Sequence, residues 1–240
     1  MRRARLPRRA AIVLQSERSR SRARDRPAIG RAAHPIGGRA PGRPRWRALI
    51  KRELRQQVRE RLAKIPPDEM HALSRKACEN LIAHRAYRKA EVVLLFLAGA
   101  GEVDTTPLAL QCWADAKRVL APKVSWEQRR MIPIEIRSLT SDVRPSVMGL
   151  REPIEGLPFP VADIDLMVVP GIAFDSEGYR IGRGRGFYER FLAHPDRHAT
   201  VCGLALEAQF FEHVPHDETD VRVDLLATDK CVRVFAEPRA

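Results

Sequence analysis

The chain has 240 residues, enough for one large α/β domain or two small ones, and its hydrophobic fraction of 44% is ample for a core. No apolar run approaches the roughly 18 residues of a membrane span, and the apolar stretch 10–14 is too short for the core of a secretory signal. The net charge of +13 looks like a nucleic-acid signal until it is located: residues 1–47 hold fifteen arginines against Glu17 and Asp25, so the rest of the chain is electrically balanced and its partner must be argued from a site.

Residues 1–45 are rich in Arg, Ala, Pro and Gly with little periodic apolar content, a composition that cannot offset the entropy of ordering. A disordered basic extension is expected there, ahead of a single domain over residues 46–240. Three readings fit the extension: an arm touching RNA, an organelle-targeting peptide, or a dispensable addition. From Trp46 the pattern changes. Ile50, Leu54, Val58 and Leu62 recur every four residues and predict a helix with one apolar stripe. Lys51 and Arg55 project together from a neighbouring face, which in its plainest reading is only a solvated cationic face. Pro66 and Pro67 end that helix, and Asp68 is a plausible cap for a second through about His84.

The run 91–98 (EVVLLFLA) is apolar without alternation, the look of a strand covered on both faces. After Gly99-Ala100-Gly101, either Thr105 or Thr106 can cap a helix with Pro107 in its first turn. Strands are expected at 118–124 and 131–137, the second with one exposed face, and a proline-containing loop at 138–160. An apolar run through Val169 reaches Pro170-Gly171. A loop at 175–185 follows, in which Gly182, Gly184 and Gly186 alternate with Arg183 and Arg185, and a helix at 187–192 comes next. A strand at 200–206, a loop at 212–219, and apolar segments at 225–228 and 231–235 close the chain. Strands alternating with helices argue a mainly parallel sheet covered on both faces, with the ligand outside the strands' carboxyl ends. Segments 99–105 and 171–186 both lie on that rim.

Cys78, Cys112, Cys202 and Cys231 stand far apart, with no metal-ligand spacing, and read as reduced core thiols of a cytoplasmic protein. There is no G-x-x-x-x-G-K-[ST], no G-x-G-x-x-G and no G-x-S-x-G. What remains is a glycine loop whose backbone can approach an anion, with two guanidiniums whose forked donors suit phosphate. An ordinary surface turn is the competing reading. Glu189 and Asp220 offer carboxylates of the kind that hold Mg²⁺ beside a polyphosphate. Equally, Glu189 reads as a first-turn helical acid, and Asp220 and Asp224 as turn or strand caps. The residues alone thus reach an ATP-using α/β enzyme and no substrate.

The stretch PGIAFDSEGYRIGRGRGFYERFL resembles the signature of the 5-formyltetrahydrofolate cyclo-ligase family, also called 5,10-methenyltetrahydrofolate synthetases. Lys51-x-x-Leu54-Arg55, Glu102-Val103-Asp104-Thr105, the basic strand 117–122, Gly149-Leu150-Arg151-Glu152-Pro153, and Val214-Pro215 through Asp220 and Asp224 resemble its other motifs, in family order. The resemblance implies a three-layer α/β sandwich like those of ribose-5-phosphate isomerase and CoA-transferase domains. It implies ATP-dependent closure of 5-formyltetrahydrofolate, a small-molecule partner, to 5,10-methenyltetrahydrofolate, without membrane, and with nucleic acid only through residues 1–45. It places Lys51 and Arg55 on the ATP phosphates. Arg180, Ile181, Gly182, Arg183, Gly184, Arg185, Gly186, Phe187 and Tyr188 would wrap the nucleotide. Lys51, Arg183 and Arg185 would act on the transferring group. The folate would meet Gly99, Glu102, Asp104, Arg183, Gly184, Arg185, Gly186 and Phe187. Glu189, where the family usually has Asp, and Asp220 would bind Mg²⁺. Two alternatives are a sugar-phosphate isomerase or CoA-transferase-like enzyme of the same architecture, and an RNA-associated protein using its basic arm.

Overall fold

The computed structural model describes residues 45–146 and 151–236, the side chains of 45–48 excepted. The expectations for the basic extension, and for Gly149 and Leu150, lie outside the described residues. Three helices come first, α1 (Arg45–Leu62), α2 (Pro67–Ile82) and α3 (Arg85–Lys89). Then follow β1 (Val92–Leu94), α4 (Thr106–Ala114), β2 (Arg118–Ser125), β3 (Arg130–Ile136), β4 (Val143–Pro145) and β5 (Arg151–Pro153). The second half holds β6 (Leu166–Val169), β7 (Ala173–Phe174), β8 (Arg180–Ile181), α5 (Phe187–Leu192), β9 (Thr200–Leu204), β10 (Leu225–Ala227) and β11 (Val232–Val234).

Seven strands form one sheet in the order β11-β10-β9-β6-β1-β2-β3. The five inner ones are parallel, and antiparallel β3 and β11 close the edges. Alternation along the buried strands divides their side chains between two cores. Val93, Leu166, Val168, Cys202 and Leu204 meet Ala77, Cys78 and Leu81 of α2 and Leu108 and Cys112 of α4. Their neighbours Val92, Leu94, Met167, Val169 and Val201 meet Phe191 and Leu192 of α5. Truncating a fully buried leucine such as Leu81 to alanine would cost about 2–5 kcal/mol. The expected mainly parallel α/β sheet is therefore present. The helices are unevenly shared, however: α5 has six residues, and loops complete its side of the sheet.

Several local expectations are corrected by hydrogen bonding. Pro66, not Asp68, is the residue before α2, and Asp68 sits in its first turn, where negative charge suits the dipole. The Thr105 hydroxyl donates to the Phe96 carbonyl (2.7 Å), so Asp104 caps α4 instead, its Oδ1 accepting from Thr106 N–H at 2.9 Å. Short α3 is entered through His84, whose Nδ1 accepts from Ala86 N–H, so the second helix stops at Ile82. The supposed loop 138–160 contains the β4–β5 pair. Cys231 is exposed, whereas the other three cysteines are buried as expected.

The β7–β8 hairpin positions the site. Buried Asp175 accepts from Glu177 and Tyr179 N–H through Oδ1 (3.0 and 2.9 Å) and from Val214 N–H through Oδ2 (3.1 Å). One carboxylate thus forms the hairpin turn and ties the loop that carries Asp220 to it. Phe174 anchors the hairpin to the sheet. A Cβ at Gly203 of β9 would lie 2.4 Å from its ring, so only glycine permits this approach. Helix α1 packs on the hairpin, with Leu54 and Val58 against Ala173, Ile181 and Val214. This contact brings its cationic face to the glycine loop.

Candidate active site

A cavity of about 760 Å³ opens at the carboxyl ends of β1, β2 and β6, the rim expected for a parallel sheet. Its lining is mixed in character. Val124, Trp126, Met131 and Phe187 give it apolar surface, and Arg55, Arg59, Arg180, Arg183 and Arg185 bring positive charge to the same lining. Such a space suits a ligand that joins flat apolar rings to phosphate or carboxylate groups.

Arg55 of α1 donates through Nε to the Gly182 carbonyl at 3.0 Å, so the first helix holds the glycine loop directly. Burial lowers its pKa, nearby Arg59 adds to that, and Glu189 opposes both. The loop then turns through Gly186, whose φ of +70° places it just before α5. This left-handed backbone is the one glycine adopts without strain.

Arg180 is the most heavily buried cation of the cavity, with its side chain 3% exposed. Its Nη2 lies 3.3 Å from Glu189 Oε1, an ion pair without hydrogen-bond alignment, and Nε and Nη2 have no hydrogen-bond partner. Burial lowers its pKa, and Glu189, Tyr188 and Asp220 oppose the shift. Burial and the Glu102 carboxylate push the Tyr188 hydroxyl well above its usual value, against Arg180. Around this one guanidinium, then, gather both carboxylates expected to bind metal.

Arg183 reaches across to the β1 rim. Its Nε donates to Glu102 Oε1 at 2.9 Å and its Nη2 to the Ala100 carbonyl at 3.3 Å. Glu102 Oε2 accepts from Gly99 N–H at 2.9 Å, which closes the turn. Arg185 lies 5.2 Å over the Trp126 ring, and Trp126 meets Phe187 edge to face with centroids 5.1 Å apart. Arg190 of α5 donates to the Arg129 carbonyl at 2.7 Å, tying the tip of the β2–β3 hairpin to the loop.

Expected site residues are therefore split. Arg55, Glu102, Arg180, Gly182, Arg183, Gly184, Arg185, Gly186, Phe187, Tyr188 and Glu189 line the cavity. Lys51, Gly99, Asp104, Ile181 and Asp220 are not among its lining residues, and Asp220 borders a separate cleft with Tyr179 and Arg197. Lys51 Nζ is 2.9 Å from Asp220 Oδ2. Asp104 is occupied as a helix cap, and Ile181 belongs to the core beneath α1. Asp224 accepts from Val201 N–H at 2.8 Å, a strand cap as its plain reading held. Sequence reasoning missed Trp126, Arg59 and Glu152 as lining residues. For Trp126 a signal existed, an aromatic residue alone at a hairpin turn. For Glu152 it was the motif itself, noted but not read residue by residue.

Residues 48–229 match the family model described as the 5-formyltetrahydrofolate cyclo-ligase family. The mouse 5-formyltetrahydrofolate cyclo-ligase is 27% identical over 187 residues, covering 72% of this chain and 91% of its own. That of Escherichia coli K12 is 27% identical over 174 residues, covering 71% and 96%. Among solved structures, the 5,10-methenyltetrahydrofolate synthetase of Aquifex aeolicus shares 34% identity with a TM-score of 0.68, covering 80% of this chain and 95% of that one. The Mycoplasma pneumoniae synthetase, at 23% identity and a TM-score of 0.61, covers 75% and 98% and supports the fold alone. With the match spanning most of its length, the chain belongs to the 5-formyltetrahydrofolate cyclo-ligase family of enzymes.

Proposed function

We propose that the protein uses ATP to close 5-formyltetrahydrofolate into 5,10-methenyltetrahydrofolate, releasing ADP and phosphate. The observation that carries this reading is one cavity whose lining combines guanidiniums with the aromatic rings of Trp126 and Phe187. The relatives' names supply the substrate, and the cavity supplies the chemistry it requires.

The formyl oxygen is an amide oxygen, a feeble nucleophile and, once lost as hydroxide, a worse leaving group. In the proposed course it attacks the γ-phosphorus and ADP departs. N10 then attacks the activated formyl carbon and loses its proton, and phosphate leaves as the ring closes. Positioning is the main help available to the first step, and fixed positive charge the main help to the transfer. Arg183 and Arg185 are assigned to the transferring phosphoryl group. Arg55, Arg180 and the backbone of Gly182, Gly184 and Gly186 are assigned to the remaining phosphates, with Tyr188 beside them. Lys51 is assigned to the phosphates as well, its ammonium being paired with Asp220 in the free protein.

A divalent cation fits this donor set. Glu189 and Asp220 both act on the same Arg180 guanidinium, so they approach one region from two elements. Mg²⁺ is satisfied by one or two carboxylates, phosphate oxygens and water. No cluster of three acidic, His or Cys ligands occurs among the described residues, and this mode does not require one. When bound there, the ion would supply charge neutralisation on the phosphate oxygens. A cytoplasmic setting is part of the same reading, supported by four free cysteines.

The decisive experiment incubates the purified chain with Mg-ATP and 5-formyltetrahydrofolate. Growth of the methenyl product's near-UV band, with ADP released only when the folate is present, is the expected result. Folded protein that gives neither signal would end the proposal.

A further inference from the structure

The cavity contains a second buried group without a partner, and it is an acceptor. Glu152 of β5 lines the cavity, and its Oε1 is buried with no hydrogen-bond partner. Its element is firmly held. Register pairs Glu152 with Arg144 of β4, and Lys123 of β2 donates to the Ile154 carbonyl at 2.7 Å, strapping the pair to the main sheet. Those contacts fix the backbone from which the half-buried Glu152 side chain turns its Oε1 inward. A buried acceptor left unmatched is expensive, and folded proteins keep such groups where a ligand completes them.

The chemistry of the missing partner follows from the group. A carboxylate accepts hydrogen bonds or holds a cation. With the divalent ion assigned to Glu189 and Asp220, the partner of Glu152 is a group with N–H or O–H donors. Phosphate and carboxylate groups are excluded, because they would bring like charge against the buried Oε1. Adenine offers one exocyclic amino group flanked by ring acceptors. The 2-amino-4-oxo edge of a reduced pterin offers an amino group and an adjacent ring N–H, two donors side by side. We propose that Glu152 is a specificity-determining residue that accepts hydrogen bonds from the 2-amino and N3–H donors of the folate's pterin ring. The inference rests on the folate reading above and adds the atom-level feature by which the ring is chosen.

The test compares wild type with Glu152→Leu and Glu152→Gln, using 5-formyltetrahydrofolate and its 2-deamino analogue. Replacing an unsatisfied carboxylate by leucine should leave the melting temperature unchanged or higher, which a purely structural glutamate would not allow. The KM for the folate should rise by at least about tenfold in Glu152→Leu, since charge-assisted hydrogen bonds are among the stronger ones. The KM for ATP should stay within about twofold, the ring edge of adenine not being what this group selects. Wild type should disfavour the deamino analogue, and both variants should lose much of that preference; Glu152→Gln carries the test should the leucine variant fail to fold. An unchanged folate KM in both variants, or a wild type indifferent to the 2-amino group, overturns the proposal. Equilibrium dialysis of labelled 5-formyltetrahydrofolate separates the two readings. Binding that depends on Glu152 without turnover sinks the reaction alone, and turnover with binding indifferent to Glu152 sinks this inference alone.

Discussion

Lys51 Nζ sits 2.9 Å from Asp220 Oδ2, joining the first helix to a loop 169 residues further along the chain. Both side chains are largely buried, at 17% and 10% exposure, and Asp220 also accepts from Asp217 N–H at 2.9 Å. The contact closes the assembly of α1, the β7–β8 hairpin and the loop after β9 around the cavity.

Lys51→Ala is therefore expected to cost stability as well as activity. Asp220 would keep one donor but lose its charge partner, for about 1–2 kcal/mol in urea unfolding of the free protein. Asp220→Asn should cost less in the Lys51→Ala background than alone. Strictly additive losses would mean that the pair contributes nothing as a pair.

Arg180→Met tests the opposite balance. The guanidinium is buried with Nε and Nη2 lacking hydrogen bonds, a cost that an apolar side chain of similar length removes. The ion pair with partly exposed Glu189 is lost at the same time, and the two should offset to within about 1 kcal/mol in the free protein. Nucleotide affinity should fall at least about tenfold, because a buried Arg in a phosphate site is matched only when the anion arrives. A lowered melting temperature with unchanged affinity would make Arg180 a structural residue instead.

The inner parallel strands were legible because burial on both faces leaves uninterrupted apolar runs at β1 and β6. The glycine loop stood out because its glycines and guanidiniums together suit an anion, a composition that an ordinary surface turn shares, and it does line the cavity. Individual side-chain hydrogen bonds were not legible. Asp104 looked like a substrate ligand, yet its carboxylate was nearer Thr106 N–H, and the β7–β8 hairpin depends on Asp175 accepting from a residue 39 positions away. Trp126 reaches the cavity only because Arg190 draws the hairpin tip to the loop, a contact across 61 residues. Periodicity reports which side of an element is buried. It does not report which distant loop will meet it.

Thiol reactivity should separate the cysteines sharply. Burial pushes the Cys78 and Cys202 thiols up to about 12 and Cys112 up to about 11, so they are protonated and covered near neutral pH. Cys231 alone is exposed. Titration of the native protein with an aromatic disulfide should modify one thiol quickly and all four only after unfolding. Rapid modification of a second would show that α2 or α4 opens readily from the sheet.

Glu207 holds the last hairpin of the sheet, and its charge makes that contact pH-dependent. Its carboxylate accepts from Arg233 Nη1 at 2.9 Å and Thr228 Oγ1 at 2.7 Å. Burial pushes its pKa up, but those hydrogen bonds and the Arg233 charge outweigh it and hold the pKa below the ordinary 4.5. A carboxylate depressed in the folded state adds stability above its unfolded value, and that stability is lost as pH falls through the folded value. Glu207→Gln should thus cost about 1 kcal/mol near neutral pH, the pair being partly screened by solvent. The gap between wild type and variant should close as the solution is acidified past the ordinary carboxylate range. A gap of constant size down to acid pH would assign the contact to stacking of the Arg233 guanidinium over the Phe210 ring, 4.0 Å from its centroid, rather than to the Glu207 charge.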